Sequence, residues 1–558
     1  MKTTNKKSVQ LLVDSLWKIG LTHVVISPGS RNAPLIIGFS DHEKYNCFSV
    51  PDERTAGFIA LGMAHQSQSP VALVCSSGSA LLNYYPAIAE AFYRKVPLII
   101  LSADRPERLI DQGDGQTIRQ KNVFANHILF SGQLEEDLNP ENEKSVSQLK
   151  DALSKAIPSL TEKGGPIHFN LPFEEPLYGL EEVKYTDFIS SNTCSTSPIP
   201  SLLLHEISEK WNSSIKIVIL VGQKDPHPGF DEWLEKVGNH ALILSETTSN
   251  LNCSNNIATI DRLITNLTPE EKEKFKFDLL LTFGGNIVSK RIKALIRSHP
   301  PMHHYHIEVT DLPPNTYQCL TAHLNTSLTQ FGEAILPFLN LKNSSYVGFW
   351  KERNMGRISG HQLFAEQTPW SDFKVMSILN QKIPSGCIFH LANSTSVRYA
   401  QLFDWKQNLT FHANRGTSGI DGIVSTAMGT AIATSKPVFL IVGDISFFYD
   451  TNAWWHRHIP VNLKVIVVNN NGGGIFRFID GPNNSGQLEN HFETNQKNSV
   501  LHIAKGFEVN YFRANEEESL KSGLESMIKT KASCILEVFT PQFENAEVLK
   551  NYFKSFTL

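Results

Sequence analysis

Residues 467–476 read VVNNNGGGIF, an apolar run that ends in three asparagines and three glycines. Upstream, the run FLIV closes on Gly443 and Asp444. A carboxylate, an amide oxygen and a glycine carbonyl are hard oxygen donors. They suit a Mg²⁺ ion that keeps a water and takes its other ligands from phosphates. On that chemistry the asparagine oxygens face a metal, and the bare backbone at 472–474 lets a diphosphate come close. Asn-Gly turns are the plainer reading of the same letters, so the elements that carry them matter.

Those elements read as buried strands. Short runs rich in Val, Ile and Leu recur, among them HVVIS, VALVCS, PLIILSA, KIVILVG, FDLLLTFG, PVFLIVGD, LKVIVVNN and CILEVF. Continuous apolarity implies strands covered on both faces. Stretches such as ERTAGFIALGMAHQ and SALLNYYPAIAEAFYRK separate many of them, with apolar positions three and four apart, as in a helix. The alternation predicts an α/β chain of parallel sheets flanked by helices. Ligands of such sheets sit at the carboxyl ends of the strands, where Asp444 and Asn470 fall. One helix and its turns fit between the two residues, so a single βαβ crossover would set them side by side.

A chain of 558 residues, 41% hydrophobic, has room for several domains, each with its own core. Two polar, turn-rich stretches interrupt the rhythm, at about 180–205 and about 340–372. Cutting there predicts three α/β domains, 1–182, 200–345 and 370–558. The first and last share a strand–loop–helix style that an old duplication would explain. Lys plus Arg (51) nearly balance Asp plus Glu (55), for a formal net charge of −4. No bulk field therefore draws the chain to nucleic acid or anionic lipid, and any bound anion needs individually placed cations. No apolar run reaches the roughly 20 residues of a membrane span. The first 20 residues read as an amphipathic helix rather than a signal peptide. Seven scattered cysteines without CxxC spacing argue against a disulfide framework or a zinc site. A soluble protein in a reducing cytoplasm is the expectation. The histidine clusters HHYH and WWHRH read as packing rather than metal ligation.

GD followed about 25 residues later by NN resembles the signature of thiamine diphosphate enzymes. The resemblance implies a thiamine diphosphate-binding fold, with Mg²⁺ or Mn²⁺ held by Asp444, Asn470 and the carbonyl of Gly472. Gly443 and Ser446 would lie beside the cofactor. Ile445 departs from the pattern, which usually has a second glycine there, and the triplet leaves Asn471 with Gly473 as an alternative register. The segment FSVPDERTAGFIALGMA resembles the glutamate segment of these enzymes. It implies that Glu53 hydrogen-bonds the aminopyrimidine N1′ and so directs loss of the cofactor's C2 proton. Taken alone, an acid at a helix start is ordinary dipole compensation. In this superfamily pyrimidine and diphosphate are held by different subunits, which implies a homodimer or homotetramer with active sites between subunits. Domain 1–182 would bind the pyrimidine and domain 370–558 the diphosphate.

ISPGSRNAPL, VPDERTAGFIALG, SGSALLNYYPAIAEA, LSADRPERL, GQTIRQ, NSTSVR and NRGTSGIDGIVSTAMG together resemble one family. It is the 2-succinyl-5-enolpyruvyl-6-hydroxy-3-cyclohexene-1-carboxylate synthases, usually called MenD, of menaquinone biosynthesis. The resemblance runs from about residue 8 to at least 480. It implies a transferase that decarboxylates 2-oxoglutarate on thiamine diphosphate and adds the succinyl semialdehyde carbanion equivalent to isochorismate. The two substrates carry several carboxylates, and charge-assisted arginine pairing is how a nearly neutral protein would grip them. Carried over by motif, Ser30, Arg31, Arg105 and Gln116 bind isochorismate, and Arg31 and Gln116 join Glu53 in catalysis. Lys290 and Arg291 reach in from the middle domain, and Ser394, Arg398 and Arg415 hold carboxylates of the donor or the acceptor. Ile420, in SGIDG, matches the bulky residue that props the cofactor into its bent form. Ile475 and Phe476 would wall the site.

Each arginine alone reads as a surface charge or a plain salt bridge. The runner-up function is another thiamine diphosphate-dependent 2-oxo acid decarboxylase or an acetolactate synthase-like carboligase. The arginine set speaks against it, as do the lack of a flavin-binding signal in the middle domain and of an adjacent His-His pair near the N-terminal segments. A thiamine diphosphate-fold protein without catalysis is the reading from another class, and intact Glu53, Asp444 and Asn470 speak against that.

Overall fold

Among the described residues, three six-stranded sheets, parallel throughout, organise the chain. The structure is a computed structural model that describes residues 2–134, 143–161, 164–182, 199, 201–406, 408–479, 481–495 and 498–557. The N-terminal sheet runs in the order Asn46–Ser49, His23–Ile26, Val71–Cys75, Leu98–Asp104, Ile167–Pro172, Phe130–Gln133. The C-terminal sheet runs Thr410–His412, Ile388–Leu391, Val438–Gly443, Leu463–Asn469, Cys534–Phe539, Asn510–Ala514. Counted along the chain, both have the order 2-1-3-4-6-5, whereas the central sheet has 3-2-1-4-5-6. The likeness of the first and last blocks is thus topological. Each apolar run quoted above lies inside one of these sheets, because a strand covered by helices on both faces has no polar side to show.

One helix crossing joins the two outer sheets. Glu53–Ser67 packs on Ile423–Ile432 so closely that a Cβ on Gly62 would stand 2.0 Å from the Thr426 carbonyl oxygen. A Cβ on Gly429 would stand 2.0 Å from the Ile59 oxygen. The pair of glycines lets the backbones touch, and one continuous core runs from Leu73 and Ile100 through Ile59 and Val424 to Leu440 and Val465.

The structure corrects one expectation. The stretch at about 340–372 is not a turn-rich interruption: residues Ser345–Gln367 form a 23-residue helix. Its three glycines hide the pattern, and its buried stripe of Tyr346, Val347, Trp350, Arg357 and His361 mixes apolar with ionisable residues. Tertiary contacts override the weak local propensity. Trp350 packs edge-on against Phe275 at 5.0 Å, Arg353 Nε donates to the Leu263 carbonyl at 3.1 Å, and the Arg357 guanidinium donates to the Phe556 carbonyl. Of the other stretch, about 180–205, residues 183–198 and 200 lie outside the described residues, and a helix begins at Ser201. The expected first helix is Lys7–Lys18, preceded by the strand Lys2–Thr4, which pairs antiparallel with Leu180–Glu182. Among the described residues no helix is long and apolar enough to cross a membrane.

Candidate active site

Val438–Gly443 and Leu463–Asn469 are hydrogen-bonded parallel neighbours, with Gly443 opposite Val468. Asp444 and Asn470 therefore leave the sheet side by side at its carboxyl edge. Asp444 opens the helix Asp444–Tyr449 and is 1% exposed. Asn470 is buried as well, and its Nδ2 donates to Asp372 Oδ2 at 3.0 Å. Asn471, the alternative, is exposed, takes φ 63°, and donates its amide to Gln542 at 3.1 Å. Gly472 takes φ 141°, and a Cβ there would lie 2.5 Å from the Glu493 carbonyl oxygen, so this turn excludes any side chain. Ser446 donates its hydroxyl to the Ile420 carbonyl, while the Ile420 side chain stays 41% exposed.

The N-terminal residues gather at the carboxyl edge of their own sheet. Glu53 begins its helix after the cap Asp52, whose carboxylate accepts from Thr55 N at 3.1 Å and from Asn452 Nδ2 at 2.6 Å. Burial raises the Glu53 carboxyl above its ordinary pKa, and Asp52 adds to the effect. Arg31 is buried: Nη1 donates to the Phe173 carbonyl at 3.0 Å, Nη2 pairs with Glu175 at 3.2 Å, and Nε has no protein partner. Ser30 and Gln116 are exposed, and Arg105 Nε donates to the Gly115 carbonyl at 2.8 Å, next to Gln116. Gly78, at φ 83°, lies flat on the Gln116 backbone, which takes φ 57°.

Four of the expected residues meet in one cavity. Lys290, Arg291, Arg398 and Ile475 line a space of about 170 Å³, closed by Asp261, Tyr399 and Phe553. Lys290 and Arg291 start the helix Lys290–Ser298 behind the cap Ser289. Glu246, fully enclosed, accepts from Val288 N at 2.6 Å and Ser289 N at 2.7 Å and so fixes that helix start. Burial pushes its carboxyl up to about 7. Ser289 donates to Asp261, whose carboxyl is raised by burial and pulled back by that hydroxyl, Arg291 and Arg398. Ser394 caps the helix Thr395–Ala400 at φ 75° and ψ −122°, a conformation that is strained for any residue but glycine. Arg398 on that helix donates back to the Ser394 carbonyl. Phe476 stands outside the cavity, against Phe492 at 5.4 Å between ring centres.

Arg415 lies behind this cavity rather than in it. Its Nη1 donates to Asn393 Oδ1 at 2.8 Å, and its buried Nε has no protein partner. The loop it heads is held by Glu90 of the N-terminal domain, which accepts from Gly416 N at 2.8 Å, Thr417 N at 2.6 Å and Thr417 Oγ1 at 2.8 Å. Asp261, Glu246, Glu90 and Asp372 were invisible to sequence reading, because each acts on partners far along the chain. A larger cavity, about 630 Å³, opens where the three sheets meet and includes His65, Arg94, Asp225, His412 and Arg415. His65, Asp225 and His412 are close enough to share a metal ion. Arg94 Nη2, however, lies 3.0 Å from His65 Nε2, which is itself 2.9 Å from Asp225 Oδ1. The guanidinium and the carboxylate flank the imidazole and attract each other electrostatically, so the cluster already carries its own balancing cation.

Family models for thiamine pyrophosphate enzymes match twice: the N-terminal TPP binding domain over residues 6–123 and the C-terminal TPP binding domain over 393–538. A 2-succinyl-5-enolpyruvyl-6-hydroxy-3-cyclohexene-1-carboxylate synthase of Flavobacterium psychrophilum is 44% identical over 544 residues, 96% of each chain. The chain belongs to this synthase family. Synthases of the same name from Flavobacterium johnsoniae and Porphyromonas gingivalis are 42% and 36% identical. The first comparison covers 98% of each chain, the second 99% of this chain and 97% of its relative. Among solved structures, benzoylformate decarboxylase from Polynucleobacter necessarius superposes with a TM-score of 0.72 at 15% identity, over 96% of this chain and 98% of its own. That likeness shows the fold. Thiamine diphosphate is the cofactor that the two matched domains bind.

Proposed function

We propose that this synthase decarboxylates 2-oxoglutarate and adds the resulting four-carbon unit to isochorismate, giving 2-succinyl-5-enolpyruvyl-6-hydroxy-3-cyclohexene-1-carboxylate for menaquinone biosynthesis. The observation that carries the reading is the cavity in which Lys290, Arg291 and Arg398 converge beside Ile475, a few residues past Asn470. A cluster of cations in an enclosed space suits a dicarboxylic donor, and an uncharged 2-oxo acid side chain would leave it unbalanced.

The residues present fit the cofactor. Asp444, the Asn470 amide oxygen and the Gly472 carbonyl form an all-oxygen donor set suited to Mg²⁺ or Mn²⁺. A Cβ on Gly443 would meet nothing within 4 Å, which leaves open space at the strand end for a diphosphate. When bound, thiamine diphosphate supplies the electron sink for loss of CO₂. Glu53, with its carboxyl raised by burial, is suited to share a proton with a ring nitrogen. Arg31, Arg105, Ser30 and Gln116 orient isochorismate, Arg105 and Gln116 being held on one turn by the Arg105 Nε–Gly115 bond. Arg415, whose Nη1 donates to Asn393 Oδ1, would hold a substrate carboxylate after a change of side-chain position. Ile475, in the cavity lining, limits access of water. Ile420, with its side chain 41% exposed, would support the cofactor's bend.

The N-terminal residues and the metal ligands are read as halves of sites completed by a second protomer, in a homodimer or homotetramer. In support, the cation cavity takes no residue from the N-terminal sheet. The six described cysteines are free, which supports a cytoplasmic protein. The test is to mix protein, thiamine diphosphate and Mg²⁺ with 2-oxoglutarate, with and without isochorismate, and identify products by mass spectrometry. Turnover of pyruvate in place of 2-oxoglutarate would assign an acetolactate synthase-like activity instead.

A further inference from the structure

Asp372 opens the helix Asp372–Lys382, is 5% exposed, and lies 98 residues before Asn470 in the chain. Its Oδ1 accepts from Thr540 Oγ1 at 2.6 Å and from Asn545 Nδ2 at 3.0 Å, and its own N–H donates to Asn545 Oδ1 at 2.8 Å. Oδ2 is left for Asn470 Nδ2, at 3.0 Å. An ionised carboxylate only accepts hydrogen bonds. The Asn470 amide must therefore present its nitrogen to Asp372, which turns its oxygen the other way.

That direction matters because an amide can flip by 180° with almost no change in shape. One orientation offers an oxygen to a cation, and the other offers two N–H groups that repel it. We propose that Asp372 is a positioning residue that holds the Asn470 amide oxygen-first toward the divalent cation of the diphosphate site. The proposal rests on the reading of Asp444, Asn470 and Gly472 as metal ligands.

The exchange of an acid for an amide tests it sharply. In Asp372→Asn, the amide oxygen can keep Thr540 and Asn545 while its nitrogen now faces Asn470. All local bonds remain possible, but Asn470 has to flip and turn its nitrogen to the metal. The expected result is a loss of Mg²⁺ affinity of about 10- to 100-fold, the usual consequence of removing a group that orients a metal ligand. It is read by calorimetric titration of Mg²⁺ into the full chain with saturating thiamine diphosphate. Combining Asp372→Asn with Asn470→Asp rebuilds the bond with reversed polarity and again presents an oxygen to the metal. That exchanged pair should recover most of the lost affinity and exceed Asn470→Asp alone, in which two carboxylates face each other. A carboxylate ligand strengthens Mg²⁺ binding in both, so only the difference between them reports the positioning bond.

Unchanged affinity in Asp372→Asn, or an exchanged pair no better than Asn470→Asp alone, overturns the positioning role. Asp444→Ala is the control for the site itself. If it weakens Mg²⁺ binding while Asp372→Asn does not, only the positioning role fails. If Asp444→Ala leaves Mg²⁺ binding intact, the metal lies elsewhere and both readings fall.

Discussion

Glu90→Gln probes how the N-terminal domain holds the loop that carries Arg415 and Ile420. Glu90 is wholly buried and takes three donors, two on Oε2 from Thr417 and one on Oε1 from Gly416 N. Glutamine keeps the shape but has one acceptor oxygen. Placed where Oε2 stands, that oxygen keeps both Thr417 bonds, and the new NH₂ then meets the Gly416 N–H across 2.8 Å, donor against donor. A buried donor left unmet costs about 1–3 kcal/mol, and two bonds that lose a charged acceptor weaken by about 1 kcal/mol each. Relief from burying a carboxylate offsets part of this. We expect a net local loss of about 2–4 kcal/mol. Since a tenfold change corresponds to about 1.4 kcal/mol, amide hydrogen exchange in a peptide spanning 414–421 should speed up by roughly 30- to 700-fold. Regions remote from the junction, such as the central sheet, should exchange as in the wild type. Exchange in 414–421 within about threefold of wild type would refute the claim that this carboxylate anchors the loop.

Three further outcomes are expected. Glu53→Gln should abolish turnover while thiamine diphosphate affinity, measured by fluorescence quenching, stays within a few-fold; a fully active variant removes Glu53 from the proton transfer. Gly429→Ala would drive a methyl to 2.0 Å from the Ile59 carbonyl oxygen and should lower stability by about 1–3 kcal/mol in urea unfolding, whereas Gly506→Ala, in open space, should not. Equal midpoints for the two would show that the helices have room to part. Glu246 makes stability depend on pH. Its folded pKa, about 7, lies above the ordinary 4.5, so the folded state binds the proton more tightly, and stability falls as pH rises from about 4.5 to 7 and then levels. The span corresponds to about 3 kcal/mol, and Glu246→Gln should lack that slope; parallel pH profiles for the two proteins would contradict the assignment.

The central strands of each sheet were legible because strands such as Val71–Cys75 and Ile217–Val221 are buried at every position. The edge strand Asn510–Ala514 was not, since it is only partly covered and its residues mix polar with apolar. Ser345–Gln367 escaped notice for a different reason: its helical stripe is completed by Arg357 and His361, which are buried only because Phe556 and Tyr552 accept or meet them. In the site, Asp444 and Asn470 could be paired from sequence because adjacent strands of one crossover carry them. Asp372 could not, because an acid at a helix start reads as dipole compensation. Glu90 and Gly416 are 326 residues apart, and no local pattern announces such a contact.

The long helix Ser345–Gln367 has a mechanical consequence. Roughly 35 Å of continuous helix is bonded near one end to the central domain, through Tyr346 and Phe275, and near the other to the C-terminal domain, through His361 and Tyr552. Lys290 and Arg291 belong to the first of these bodies and Arg398 to the second. The helix thus ties together the two bodies that supply the cations lining one cavity.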